Sequence, residues 1–209
     1  MPHGSNLTEE ELACFSELFS PSSLLKRNSQ DPVTVITEIP SGLASIMGRS
    51  RLTLWVELGH YKLWFTVSVG KDELGQFSAS LGIPEILDVR GCERCWRLTE
   101  VDNIEVYDRQ RRQEVTVLSL SSSGIALQIA SEAVARRLMH RREIQLKLPG
   151  AEPMTLGFEP LRVEKGIMAA RISTLGKDKD TLRRFLFQQH RSKYAYLYRN
   201  LGFPEFEGS

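Results

Sequence analysis

Cysteine is scarce in this chain: three in 209 residues, at 14, 92 and 95, too few and too unevenly placed for a disulfide framework. No apolar run approaches the roughly 20 residues that a bilayer-spanning helix needs. The opening MPHGSNLTEEE lacks the basic-then-apolar order of a secretory signal, so a cytoplasmic protein without membrane insertion is expected. Charge of one sign is missing too. Lys and Arg number 27 against 26 Asp and Glu, a formal net charge of +1, so no global field draws the chain to nucleic acid or membrane. Any anion site has to be local. Cys92 and Cys95 form a C-x-x-C, but the surrounding pattern offers no strand-to-helix βαβ context for redox work. His3, His60, His140 and His190 are too scattered to complete a zinc set. With no P-loop, nucleophile-base-acid set or paired catalytic carboxylates, no enzyme, metal or cofactor is expected. Repeats and low-complexity tracts are likewise missing.

What is present is strand patterning. The length allows one large domain or two small ones. After a tail ending near Asn6, Thr8 and Glu11 make a capping box for a short helix carrying Leu12, Phe15, Leu18 and Phe19, ended before Pro21. VTVITEI, RLTLWVEL, YKLWFTVSV and QFSASL follow as strands, separated by Pro40-Ser41-Gly42, Gly59-His60 and Gly70-Lys71-Asp72. Leu52, Leu54 and Val56 recur with period two, as do Leu63, Phe65 and Val67, which argues strands with one face buried. Trp55 and Trp64 fall on the opposite phase, which predicts that the second face is covered as well. Beyond Gly82-Ile83-Pro84, strands are expected in Trp96 to Tyr107, Glu114 to Leu120 and Gly124 to Ile129, with a polar turn at Arg109 to Gln113. Ser131 caps a helix to His140, and IQLKLP, MTLGFEPLRVE and GIMAARIS give three more strands. About six short strands with turns between them predict a small closed barrel, since closure removes exposed edges. From Asp178 a long helix is expected, with Leu182, Phe185, Leu186, Tyr194, Leu197, Tyr198 and Leu201 at helical spacing and Gly202-Phe203-Pro204 ending it. It either packs on its own barrel or offers a partner surface.

Two features carry chemistry. Arg90 and Arg94 stand four apart in VRGCER, where like charges and Gly91 disfavour a helix, so the segment is read as an ordered loop. Two guanidiniums held close suit a multivalent anion, because their planar forks pair with phosphate oxygens and with a guanine O6/N7 edge. Without a ligand, their charges would simply pair with Asp88 and Glu93. Downstream, Ser119, Ser121 and Gly124 keep the spacing S-x-S-x-x-G, which reads as a turn with satisfied hydroxyls or as the other wall of the same site. Arg136, Arg137, Arg141 and Arg142 make a basic stretch, read as a solvated face compensated by Glu132 and Glu143, with DNA contact as the alternative.

In order and spacing these features resemble the PilZ family of cyclic di-GMP receptors, in its two-domain form whose best-known members act as flagellar brakes. Arg90 and Arg94 match its R-x-x-x-R. Ser121 and Gly124 match two of the three positions of its [D/N]-x-S-x-x-G, and Ser119 departs from the third. The resemblance implies a mainly β protein. A PilZN-like, split-barrel-like domain with a leading helix would occupy 7–88, and a PilZ-like six-stranded antiparallel β-barrel with a long C-terminal helix 89–209, the linker being 85–95. It further implies that Arg90, Arg94, Ser119, Ser121 and Gly124 bind cyclic di-GMP. Capture of that ligand would reorient the two domains and regulate a protein partner in motility, adhesion, biofilm formation, secretion or virulence. Ser119 is neutral where the family acid would take charge-assisted bonds from guanine N1–H and N2–H, so Ser119→Asp is expected to tighten binding. Val89 stands where some relatives carry a basic residue that helps to hold a ligand pair, which points to one dinucleotide per chain. The alternatives are a degenerate adaptor that binds protein partners without the dinucleotide, and a dinucleotide-dependent DNA-binding regulator.

Overall fold

Alternation decides the strands. Tyr61, Leu63, Phe65 and Val67 are buried, while Trp64, Thr66 and Ser68 between them are exposed, as a pleated strand with one inner face requires. The structure, a computed structural model, describes residues 34–35, 52–71, 77–108 and 111–199. The helix expected on Leu12 to Phe19, most of VTVITEI, and the helix stop at Gly202 to Pro204 lie outside the described residues. The chain divides into two compact units. One comprises Met1–Trp55, Trp64–Ile83 and Pro204–Ser209, the other Val56–Leu63 and Pro84–Phe203.

In the first unit, β1 (Thr34–Val35) pairs antiparallel with β4 (Phe77–Leu81), and β4 with the far half of β3 (Tyr61–Lys71). β2 (Leu52–Leu58) is the hairpin partner of β3. The expectation of a covered second face fails here, since Trp55 and Trp64 are 56% and 44% exposed. Their neighbours on that face, Thr53, Glu57, Thr66 and Ser68, are exposed too. The face is polar apart from the two indoles, so burying it would strand hydroxyls and a carboxylate.

The second unit carries the barrel. Its strands are β7 (Glu105–Asp108), β8 (Arg111–Arg112), β9 (Val115–Leu120), β10 (Gly124–Ile129), β11 (Glu143–Lys147), β12 (Met154–Glu164) and β13 (Ile167–Ser173). They run antiparallel in the order β8-β7-β11-β12-β13-β10-β9. β8 only extends the β7 edge, so six strands make a nearly closed barrel, as expected. Its ends meet where Gln113 N–H donates to Val106 O at 2.8 Å and Val115 N–H to Gln113 O at 2.9 Å. Leu120, Leu127, Leu146, Leu156 and Met168 fill the interior, wholly inaccessible, each contributing about 1.5–3 kcal/mol by burial. α1 (Glu132–Met139) begins at Ser131, whose side chain accepts from Val134 N–H, and buries Val134 and Leu138.

Two elements differ from the sequence reading. The strand expected over Trp96 to Tyr107 is only an isolated bridge at Leu98–Leu120, followed by a turn through Asn103 at φ 58° before β7. The run Thr99 to Asn103, polar except for Val101, interrupts the apolar pattern, and Asn tolerates the left-handed region. The C-terminal helix is broken: α2 (Gly176–Lys193) ends at Tyr194, with φ −121° and ψ 39°, before a single turn, α3 (Ala195–Tyr198). The break brings Tyr198 Oη within 2.6 Å of His190 Nδ1. It also sets Tyr194 against Tyr61, ring centroids 5.0 Å apart, while His190 meets Tyr61 at 4.4 Å and Trp96 at 4.8 Å. Ring packing of this kind adds about 0.5–1.5 kcal/mol per pair, which favours the kink over a straight final turn. No described helix is long and apolar enough to cross a membrane.

Candidate functional site

The arginine segment is a tight hairpin. β5 (Glu85–Asp88) pairs with β6 (Arg94–Cys95) in the register Leu87↔Cys95 and Asp88↔Arg94. Gly91, at φ 79°, supplies the left-handed residue that the reversal needs. Val89 N–H donates to His60 O at 3.0 Å and Trp96 N–H to Ile86 O at 2.8 Å, which anchors both legs. Arg90 turns back on Asp88, with Nη2 to Oδ2 at 3.1 Å and its backbone N–H to Oδ1 at 3.0 Å. The Arg90 guanidinium therefore holds Asp88 below the usual carboxylate range, and Asp88 in turn raises Arg90. Arg94 stands exposed across the ladder from the same carboxylate.

The serine-glycine segment is the β9–β10 turn. Ser121 is buried, its hydroxyl donating to Gly124 O at 3.1 Å, while Ser121 N–H donates to the same carbonyl at 2.8 Å. Ser119 is buried on β9 and accepts from Arg97 Nη1 at 2.9 Å. A Cβ on Gly124 would lie 2.8 Å from Arg97 Nη2, so the guanidinium rests in the space that the missing side chain leaves.

Arg97 is the residue the sequence reading missed. Its signal was there: in Trp96-Arg97-Leu98 the outer two are buried and point inward, so the middle side chain must point out. Burial, and then the charge of Arg94, lower the Arg97 pKa from its ordinary value. Arg97 thus links the two motifs, hydrogen-bonded to the ledge and within electrostatic reach of Arg94. No hydrogen bond or ion pair joins Arg90 or Arg94 to Ser119, Ser121 or Gly124 among the described residues.

A second hub lies at the other end of β5. Glu85 Oε1 accepts from Ser122 Oγ at 2.8 Å and from Cys95 Sγ at 3.3 Å, and Oε2 pairs with Arg183 of α2. Burial pushes the Glu85 carboxyl up, but Ser122, Arg183 and Cys95 outweigh it and the net pKa is below the ordinary value. One carboxylate therefore ties the arginine hairpin, the β9–β10 turn and the C-terminal helix together. In the basic stretch Arg136 pairs with Glu132 at 2.7 Å and Arg141 with Asp108 at 2.8 Å. Beside it a concavity of about 360 Å³ is lined by Asp108, His140, Arg141, Arg142 and Thr155.

No family model and no curated protein matches the chain. Among solved structures it is similar to an uncharacterised Legionella protein, at 16% identity and a TM-score of 0.36, over 47% of this chain and 97% of that one. It is also similar to the Bacillus subtilis inhibitor of motility MotI/DgrA, at 16% identity and a TM-score of 0.33, over 64% and 68% of the two chains. Likeness this distant adds nothing to the site, which rests on the side chains described above.

Proposed function

We propose that the chain is a cyclic di-GMP receptor in which the arginine hairpin and the serine-glycine ledge grip one dinucleotide and the chain then regulates a protein partner, with motility, adhesion or biofilm control as the output. The observation that carries this reading is Arg97. Its guanidinium rests on Ser119 and Gly124, feels the charge of Arg94, and meets no carboxylate among the described residues. An exposed cation without a counter-charge suits an anion, and a phosphate diester supplies one. The hairpin follows the point at which the chain leaves the first unit. Ligand capture there is proposed to change the orientation of the two domains by differential affinity for two arrangements.

The test is a thermal melt of the full chain with and without cyclic di-GMP. At about 100 times Kd the ligand should stabilise by about 2.7 kcal/mol, and Arg90→Ala should remove most of that gain. Small-angle scattering should change on ligand addition if the domains reorient. Two observations favour a second reading, a ligand-free adaptor: Arg90 is already paired with Asp88, and the Ser121 hydroxyl is already satisfied. A well-folded protein whose melt ignores cyclic di-GMP would establish it.

A further inference from the structure

Arg141 is pinned along one edge only. Its Nε–H and Nη2–H both donate to Oδ2 of the buried Asp108, at 2.9 and 2.8 Å. A guanidinium carries five N–H donors in a fixed fork, so the Nη1–Nη2 edge is left over, and no bond holds it among the described residues. Arg141 lines the concavity of about 360 Å³ that follows α1, a volume at the low end for a small-molecule site. Arg142 and Glu143 line it too. Both are exposed, and neither makes an ion pair or a side-chain hydrogen bond among the described residues. Gln145 and Thr155, opposite each other in the β11–β12 ladder, bring an amide and a hydroxyl to the same wall.

Charge decides what fits. Arg141 and Arg142 stand against Asp108 and Glu143, a sum of zero, so a simple anion gains no net attraction. Asp108 is spent on Arg141, which leaves one cation and one carboxylate without partners. A small ligand with a charge of each sign is complementary to both. Its carboxylate suits the guanidinium forks, and its ammonium donates to Glu143. We propose that the concavity binds a free α-amino acid, with the carboxylate on Arg142 and the open edge of Arg141 and the ammonium on Glu143. The site shares no residue with the arginine hairpin or the serine-glycine ledge, so it stands or falls apart from the receptor reading.

The test is a calorimetric titration of the full chain with each standard amino acid. At least one should bind with a Kd of about 1 mM or tighter. The amide of that amino acid, which lacks the carboxylate, its N-acetyl form, which lacks the ammonium, and inorganic phosphate should each bind about tenfold or more weakly. Arg142→Gln and Glu143→Gln should each weaken the amino acid by about tenfold or more and leave the melt unchanged, since neither side chain is buried or paired. Arg141 is kept intact, because its loss would strand the buried Asp108 carboxylate. Any of three results overturns the proposal. No amino acid binds; or phosphate, the amide or the N-acetyl form binds as tightly as the amino acid; or a folded Arg142→Gln or Glu143→Gln variant binds as wild type does.

Discussion

Gly124 stands on β10, which pairs with β9 and with β13, while Ser119 lies on β9 and Ser121 in the turn between them, whereas Arg90 and Arg94 stand on a hairpin one of whose strands is two residues long. The ledge is fixed by packing: Leu120 and Ile125, which flank the turn, are almost wholly inaccessible. The hairpin loop is fixed by one carboxylate at each end of β5, Asp88 toward Arg90 and Glu85 toward Cys95, Ser122 and Arg183. The difference teaches which half is preformed. A site with one wall held by core packing and one wall held by ion pairs and side-chain hydrogen bonds can close on a ligand at little cost in packing energy.

Breaking the rigid wall should have the largest effect. Leu127→Ala, inside the barrel, is expected to cost about 2–5 kcal/mol in denaturant unfolding. A loss below 1 kcal/mol would mean that the ledge is not held by the core. The next effect is acid sensitivity where α2 packs on its own unit. His190 is inaccessible, its Nε2 has no hydrogen-bond partner among the described residues, and burial lowers its pKa from 6.5 to about 3. Below pH 6.5 the unfolded chain protonates this imidazole while the folded chain does not. Stability should therefore fall by up to about 1.4 kcal/mol per pH unit between about pH 6.5 and pH 3. Glu85 and Asp88, whose folded pKa values are lowered, lose their contribution only as pH falls below the ordinary carboxylate range. The window above about pH 4.5 thus belongs to histidine. His190→Phe should flatten it, and a wild-type curve already flat there would contradict the burial argument.

Smaller effects sharpen the contrast on the hairpin side. Glu85→Ala strands the mostly buried Arg183 guanidinium and releases Ser122, for about 1–3 kcal/mol. Arg90→Ala removes the partner of the buried Asp88 carboxylate, so the melting temperature should fall slightly, and calorimetry well below the melt should show weaker cyclic di-GMP binding. If the folded Arg90→Ala variant binds cyclic di-GMP as wild type does, the hairpin is structural rather than a ligand clamp.

The barrel was legible because most of its strands alternate, as β11 and β13 do, and Ser131 announces α1. The exposed face of Trp55 and Trp64 was misread because two indoles outweighed Thr53, Glu57, Thr66 and Ser68. The kink at Tyr194 was hidden because helical spacing continues through Leu197 and Tyr198. What breaks the helix is ring contact with Tyr61 and the bond to His190, and no local pattern reports either. Within the site, the two motifs could be read as spacings; the outward phase of Arg97 followed from Trp96 and Leu98, but what it touches did not. Its importance comes from lying over Gly124 and Ser119, on a strand far from it in sequence. The same contact changes what Ser119→Asp would do: a carboxylate at 119 meets the Arg97 guanidinium first, so the simple gain in affinity expected from sequence is reduced by their mutual neutralisation.

Hydrogen exchange on the full chain, with and without cyclic di-GMP, tests the convergence of the two walls most directly. Amides of residues 90–98 and of residues 119–124 should slow together, at ligand concentrations that saturate one site. Protection of neither segment, or of only one of them, would contradict a single ligand held between hairpin and ledge.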